Sequence, residues 1–273
     1  MAPDGTHLVL TMEEHTAVAA ELAQHFGGND LFERPQPREL LIELVAEHDR
    51  GWAEIDRRAP RDPDTNLPWS VYDAPLAHSL AAGAGSIEHN ERCHPYRGLV
   101  SSMHISGLYN GRFGLSEPPS LEHLSEDEQR QVAGFLETEE SRRGRLRAGL
   151  AADPATAGWV ARDRLMSSYK ALQFFDRLAL WLQVNHPTAR PATIIPNVPG
   201  AGSDHDLVID QVDGERAMIN PYPFDIDPLR VNLTGRFLQP QPRQVDLADV
   251  LDRAPRTTQR VVLASSPRFG GPS

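Results

Sequence analysis

The chain has 273 residues, 40% of them hydrophobic and 24% charged, and a formal net charge of −11 at pH 7. That length can bury a full core, as one large domain or a domain with a small appendage. The acidic balance argues against a nucleic-acid partner, because no basic stripe is present to displace counterions from phosphates. The single Cys93 excludes an internal disulfide, no apolar run reaches the ~20 residues of a bilayer span, and the first residues lack a basic-then-apolar signal pattern, so no membrane association and a cytoplasmic location are expected. The positive charge is nearly all arginine, with Lys170 the only lysine.

His7-Leu8-Val9-Leu10 reads as a short strand. Thr11 and Glu14 fit a capping box, and the helix they open carries His15, Val18, Ala19, Leu22 and Phe26 on one face before ending at Gly27-Gly28. After a polar loop, Leu41, Leu44, Val45 and His48 fall at i, i+3, i+4 and i+7, so His48 points with the core residues; Asp49 follows it and the helix is expected to stop at Gly51. The stretch 56–75, with Trp69 and Tyr72, is too polar for core and too long for a simple connector; it reads as a lid or pocket wall, or as an ordered surface loop. Leu76 to Ile87 is expected to be helical with His78, Ala81, Ala82 and Gly85 on one face. Tyr96 to Tyr109 forms a second helix with His104 on its apolar side. Residues 114–154 read as a charged helical insertion opened by the capping box of Ser125 and Glu128. The next helix, from about Thr156 to Val184, presents Leu165, Tyr169, Leu172, Asp176 and Ala179 inward, with Gln173 one turn before Asp176.

Beyond residue 186 the texture changes to short β-rich runs, with Asp213-Gly214 and Thr234-Gly235 as turn signals. The expected architecture is mainly α: a helical metal-binding domain over 1–186, a small C-terminal antiparallel β cap over 187–267, and a disordered tail over 268–273. The cap is expected to close the site or to mediate self-association as a homo-oligomer.

Burying adjacent ionisable groups costs several kcal/mol unless a partner compensates them, and a metal ion is a strong partner. Taken singly, each inward His or Asp has a plainer reading as a satisfied core or surface residue. Together His15, His48, Asp49, His78, His104 and Asp176 come from five helices, the way helical bundles hold iron, manganese or zinc. Six ligands, with Asp49 able to bridge, suit two metal ions better than one.

The order H…HD…H…H…D on helices resembles the HD-domain superfamily of metalloenzymes, and the stretches Glu47 to Trp52, Pro95 to His104, Gln173 to Leu180 and Asn220-Pro221-Tyr222-Pro223-Phe224 resemble a bacterial family of HD-like proteins. The resemblance implies a helical HD-like bundle in which His15, His48, Asp49 and Asp176 match the mononuclear core, and His78 and His104 the two extra histidines of dinuclear members. It leaves two reaction classes. One is phosphohydrolysis, for which Arg50, Arg97 and Arg112 are available cations. The other is O₂ activation by a di-iron pair to oxidise a small polar substrate, as in oxygenases resembling myo-inositol oxygenase. Many HD proteins have a lysine where this chain has Trp52 after Asp49-Arg50-Gly51, which tilts the expectation toward the oxygenase. Trp52, Gln173, Lys170, Arg50, Trp69 and Tyr72 are the expected substrate or supporting contacts. A non-enzymatic binding protein stapled by the metal is the remaining alternative.

Overall fold

A computed structural model describes residues 5–185 and 190–266. The chain runs β1 (His7–Val9), α1 (Met12–His25), α2 (Arg38–Glu47), a 3-10 turn (Arg50–Trp52), α3 (Ala53–Arg58), α4 (Leu76–Cys93), α5 (Pro95–Gly107), α6 (Glu126–Ala152) and α7 (Arg162–Val184). It continues through β2 (Thr193–Pro199), β3 (Asp204–Gln211), β4 (Arg216–Asn220), β5 (Leu229–Leu238), α8 (Leu247–Arg253) and β6 (Thr257–Ser265). Both expected capping boxes form, Thr11 with Glu14 and Ser125 with Glu128. They satisfy N–H groups that the first helical turn leaves unpaired. α6 is the solvated helix its charge pattern implied, burying only Val132, Glu139, Arg143, Leu146 and Leu150 along its length.

A mainly α bundle with a small C-terminal antiparallel cap is not what forms. About half of the chain is helical, and the strands join in one six-stranded mixed sheet curved into a half-barrel. Its order is β1-β5-β6-β4-β3-β2. Two features overturn the expectation. β4 and β6 pair in parallel, with Arg216 opposite Val262 and Ile219 opposite Ser265. The N-terminal β1 closes one edge by pairing with β5, His7 opposite Leu238. The sheet is therefore built from both ends of the chain. Thr234-Gly235 is not a turn but lies within β5, Gly235 opposite Thr257. A Cβ at Gly235 would stand 2.9 Å from Leu8 Cδ1 and 3.0 Å from the Val9 carbonyl oxygen, so the missing side chain is what lets β1 approach.

One hydrophobic cluster runs through helices and sheet alike, from Val18, Leu22, Leu44, Leu99, Tyr169 and Phe175 to Ile209, Val231 and Leu263. α1 and α7 lie between the rest of the helices and the strands, α1 against β5 and α7 against β2. Residues 186–189 and 267–273, which hold the expected 186/187 boundary and the expected disordered tail, lie outside the described residues. Among the described residues no helix is long and apolar enough to cross a membrane.

Candidate metal centre

The first turn of α1 is tied to the sheet. The Glu14 carboxylate accepts from Thr11 N–H and from Arg236 of β5 at 2.9 Å, and the next residue, His15, turns inward. α2 ends one residue before His48, which caps it fully buried. Asp49 then leaves helical geometry (φ −111°, ψ 22°), in the sparsely populated region where active-site residues often sit. Gly51 makes the turn compatible with α4. Its N–H donates to Ser86 Oγ at 2.9 Å, and a Cβ there would stand 1.9 Å from the Ala82 carbonyl oxygen. The small residues on α4 are thus used as the sequence implied, with Gly85 packed against the Gly51 backbone. His104 enters from α5 and Asp176 from the middle of α7, both buried.

The side chains meet in two overlapping triads, His15–His48–Asp176 and His48–Asp49–His104, each with its donor atoms within 4.8 Å of one another. His15 Nε2 is 3.3 Å from Asp176 Oδ1, and His48 Nε2 is 3.4 Å from Asp49 Oδ2 and 3.8 Å from Asp176 Oδ1. Donors about 2.1 Å from a shared cation lie about 3.0–3.4 Å apart at octahedral or tetrahedral angles, so the 3.3 and 3.4 Å spacings suit a shared ion and the 3.8 Å one is wider. Both Nε2 atoms are buried without a hydrogen-bond partner. Their other ring nitrogens are fixed: His48 Nδ1 donates to the Val45 carbonyl at 2.7 Å and His15 Nδ1 to Gln183 Oε1 at 2.7 Å. A neutral imidazole held this way keeps its Nε2 lone pair for a metal.

His104 is set differently. Arg112 only donates hydrogen bonds, so its contact at 2.5 Å fixes Gln173 Oε1, and the Gln173 amide nitrogen then faces His104 Nδ1 at 2.8 Å. Nδ1 accepts, and neutral His104 carries its proton on Nε2.

The electrostatics separate the histidines further. Burial opposes a charge on His48, but the Asp49 and Asp176 carboxylates outweigh it and raise its pKa to about 9. Burial pulls His104 down to about 4. Burial also works against the Asp176 carboxylate, yet the neighbouring imidazoles of His15 and His48 hold it well below the usual range. Perturbed titrating groups of this kind cluster at functional sites, as they also do in structural ion-pair networks.

Other expected residues are dispersed. His78 joins neither triad, although its Nδ1 is also buried without a partner. Trp52 and Trp69 line a cavity of about 390 Å³ that reaches His15, walled by residues 59–71, so the 56–75 stretch is a pocket wall. Lys170 and Gln173 line a smaller cavity of about 170 Å³. Tyr72 is 64% exposed, within electrostatic reach of Asp176, Arg177 and Arg112. Arg50 lies on the surface beside Glu47, and Arg97 is spent on structure, clamping Asn90 Oδ1 at 2.9 and 3.1 Å and Glu43 at 3.2 Å.

Three residues were missed in the sequence. Gln183 lies seven residues beyond Asp176 on the same inward stripe, a signal that was there to read. Arg177 and Asp56 had none. Asp56 lines the larger cavity, accepts from Met12 N–H at 2.7 Å, and burial raises its pKa to about 6.

A family model described as "Protein of unknown function (DUF3891)" matches residues 2–240. The chain belongs to this family. No curated protein and no solved structure matches it. The matched span of this DUF3891 member holds every residue of both triads and both cavities except Leu251.

Proposed function

We propose that this DUF3891 member is a metal-dependent hydrolase of a small substrate, with an HD-like centre in which His15, His48, Asp49 and Asp176 hold one divalent ion. The observation that carries the reading is the pair of buried, unpartnered Nε2 atoms of His15 and His48, each with its second nitrogen fixed and each facing a carboxylate. A divalent ion held there supplies Lewis acidity toward a substrate oxygen and activates water.

The chain's own residues supply the rest. The cavity of about 390 Å³ is of the size that encloses small molecules, with Trp52 and Trp69 as apolar wall and His15 at its inner end. Asp56, with its pKa near 6, suits proton transfer close to neutral pH. His104, protonated on Nε2 through the Arg112–Gln173 chain, is a hydrogen-bond donor rather than a third lone-pair ligand.

One observation favours the alternative of a di-iron oxygenase: the buried Nδ1 of His78 has no partner, as a ligand to a second ion would require. Its absence from both triads weighs the other way.

The test is metal analysis of protein purified without chelators, followed by turnover of nitrophenyl phosphates and carboxylate esters with Mn²⁺, Zn²⁺ or Fe²⁺. Bound metal near one equivalent, lost in His48→Ala and Asp176→Ala, with metal-dependent ester cleavage, is expected. Two iron atoms with a mixed-valent signal and O₂ uptake would replace hydrolysis by oxygenation. Protein that neither retains metal nor gains thermal stability on adding it would remove the centre itself.

A further inference from the structure

The smaller cavity is lined by Gln173, whose amide also contacts His104, and by Arg112, Lys170, Arg177 and Asn197. In a chain of net charge −11, three cations converge on about 170 Å³. Most arginines elsewhere that contact other side chains do so through carboxylates: Arg57 and Arg58 with Glu54, Arg142 and Arg145 with Glu91, Arg236 with Glu14. Here only Lys170 is paired, with Asp204 Oδ2 at 2.5 Å. Among the described residues neither Arg112 nor Arg177 makes an ion pair; Arg112 instead donates to Gln173 Oε1 at 2.5 Å. Two guanidiniums lining one cleft repel each other, and an anion between them relieves that repulsion.

The backbone points to the same space. Gly111, Arg112, Phe113 and Gly114 all have positive φ, as does Asn197, which also lines the cavity. A non-glycine residue in the left-handed region costs roughly 1–2 kcal/mol, and such conformations persist where surrounding structure requires them, commonly at binding sites. The turn 111–114 lies three residues beyond the helix that carries His104, and its Arg112 donates to Gln173 Oε1.

We propose that this cavity binds a small oxyanion of phosphate size, gripped by Arg112 and Arg177 with Lys170 at its edge. Its volume lies below the ~300–1,000 Å³ that encloses whole small-molecule ligands. The occupant is therefore a free ion or the anionic end of a larger molecule. Planar guanidiniums suit it, since arginine binds oxyanions through paired donors. The site stands apart from the metal and does not depend on the hydrolase reading. Because Gln173 contacts both Arg112 and His104, an anion that draws on Arg112 also bears on the amide that sets His104.

Calorimetric titration with inorganic phosphate at low ionic strength tests this on the full chain, before and after metal stripping. One phosphate per chain is expected, with the affinity unchanged by stripping and by His48→Ala. Arg112→Gln or Arg177→Gln should weaken it at least tenfold, Lys170→Gln less, and Arg177→Lys, which keeps the charge but not the paired donors, should weaken it less than Arg177→Gln, which separates lost charge from lost fold. Phenyl phosphate binding as tightly as inorganic phosphate would identify the anion as part of a larger ligand. Exclusion of phenyl phosphate would identify the free ion. Absence of saturable phosphate binding, equal affinity in the Arg112→Gln and Arg177→Gln variants, or binding that disappears with the metal would overturn the proposal.

Discussion

Asp56 offers a direct test of the electrostatic reasoning. Its carboxyl sits in the larger cavity, hydrogen-bonded to Met12 N–H at 2.7 Å, with Asp49, Glu13 and Glu14 adding negative charge nearby. Burial, the main cause, lifts its pKa from 3.8 to about 6. A shift of roughly two units corresponds to roughly 3 kcal/mol between the two protonation states. Because the folded-state pKa lies above the unfolded one, the fold favours the protonated carboxyl. The associated stability is fully present below about pH 4 and is lost as pH rises through about 6. Asp56→Asn keeps shape and the acceptor for Met12 N–H but cannot ionise. Urea denaturation of metal-stripped wild type and variant at pH 4.5, 6 and 7.5 should show the variant ahead by only about 1 kcal/mol at the lowest pH. At the highest, the variant should be the more stable by up to roughly 3 kcal/mol. A difference between the two proteins that stays flat over this range would refute the reasoning.

Gly51→Ala should displace the Asp49 turn from α4, because the new Cβ would meet the Ala82 carbonyl oxygen at 1.9 Å and the Ser86 backbone nitrogen at 2.7 Å. Backbone cannot swing aside as a side chain does, and a loss of about 3 kcal/mol or more by denaturation is expected, with weakened metal binding. Gln183→Leu removes the acceptor that holds His15 Nδ1 at 2.7 Å, and metal affinity measured by competitive chelation should fall by about 10–100-fold with the fold intact by circular dichroism. Thr11→Ala breaks the capping box at the start of α1 and should cost about 1 kcal/mol, a drop of about 2–4 °C in melting temperature.

Much of the centre was legible because burial of an ionisable side chain leaves a trace in helical periodicity. His15, His104 and Asp176 lie on apolar stripes, and the structure buries all three and brings them together around His48. His78 shows the limit of that signal. Periodicity reports which way a residue faces around its helix, not where along the axis the helix passes the site. α4 crosses the Asp49 turn at Ala82 and Ser86, and His78 lies a full turn before Ala82, about 6 Å along the axis. The strands were visible as β-rich runs, and the Asp213-Gly214 turn between β3 and β4 formed as read. The parallel pairing of β4 with β6 and the recruitment of β1 were not, because pairing between distant segments has no local signature in the chain. Arg112 was noted only as an available cation. What gives it a purpose is a run of left-handed residues, and of those only the two glycines carry any sequence signal.

The way β1 is sewn beside β5 has a consequence for when the centre can exist. All four ligands of the proposed ion have been synthesised by residue 176, yet the helix that bears His15 rests on a strand ending at Leu238 and is tethered through Glu14 to Arg236. A ribosome-bound chain that has released only its first two-thirds thus holds the complete set of donors without the floor that aims one of them. A metal centre there would be completed only after β5 has emerged, which would delay capture of a cation until late in translation.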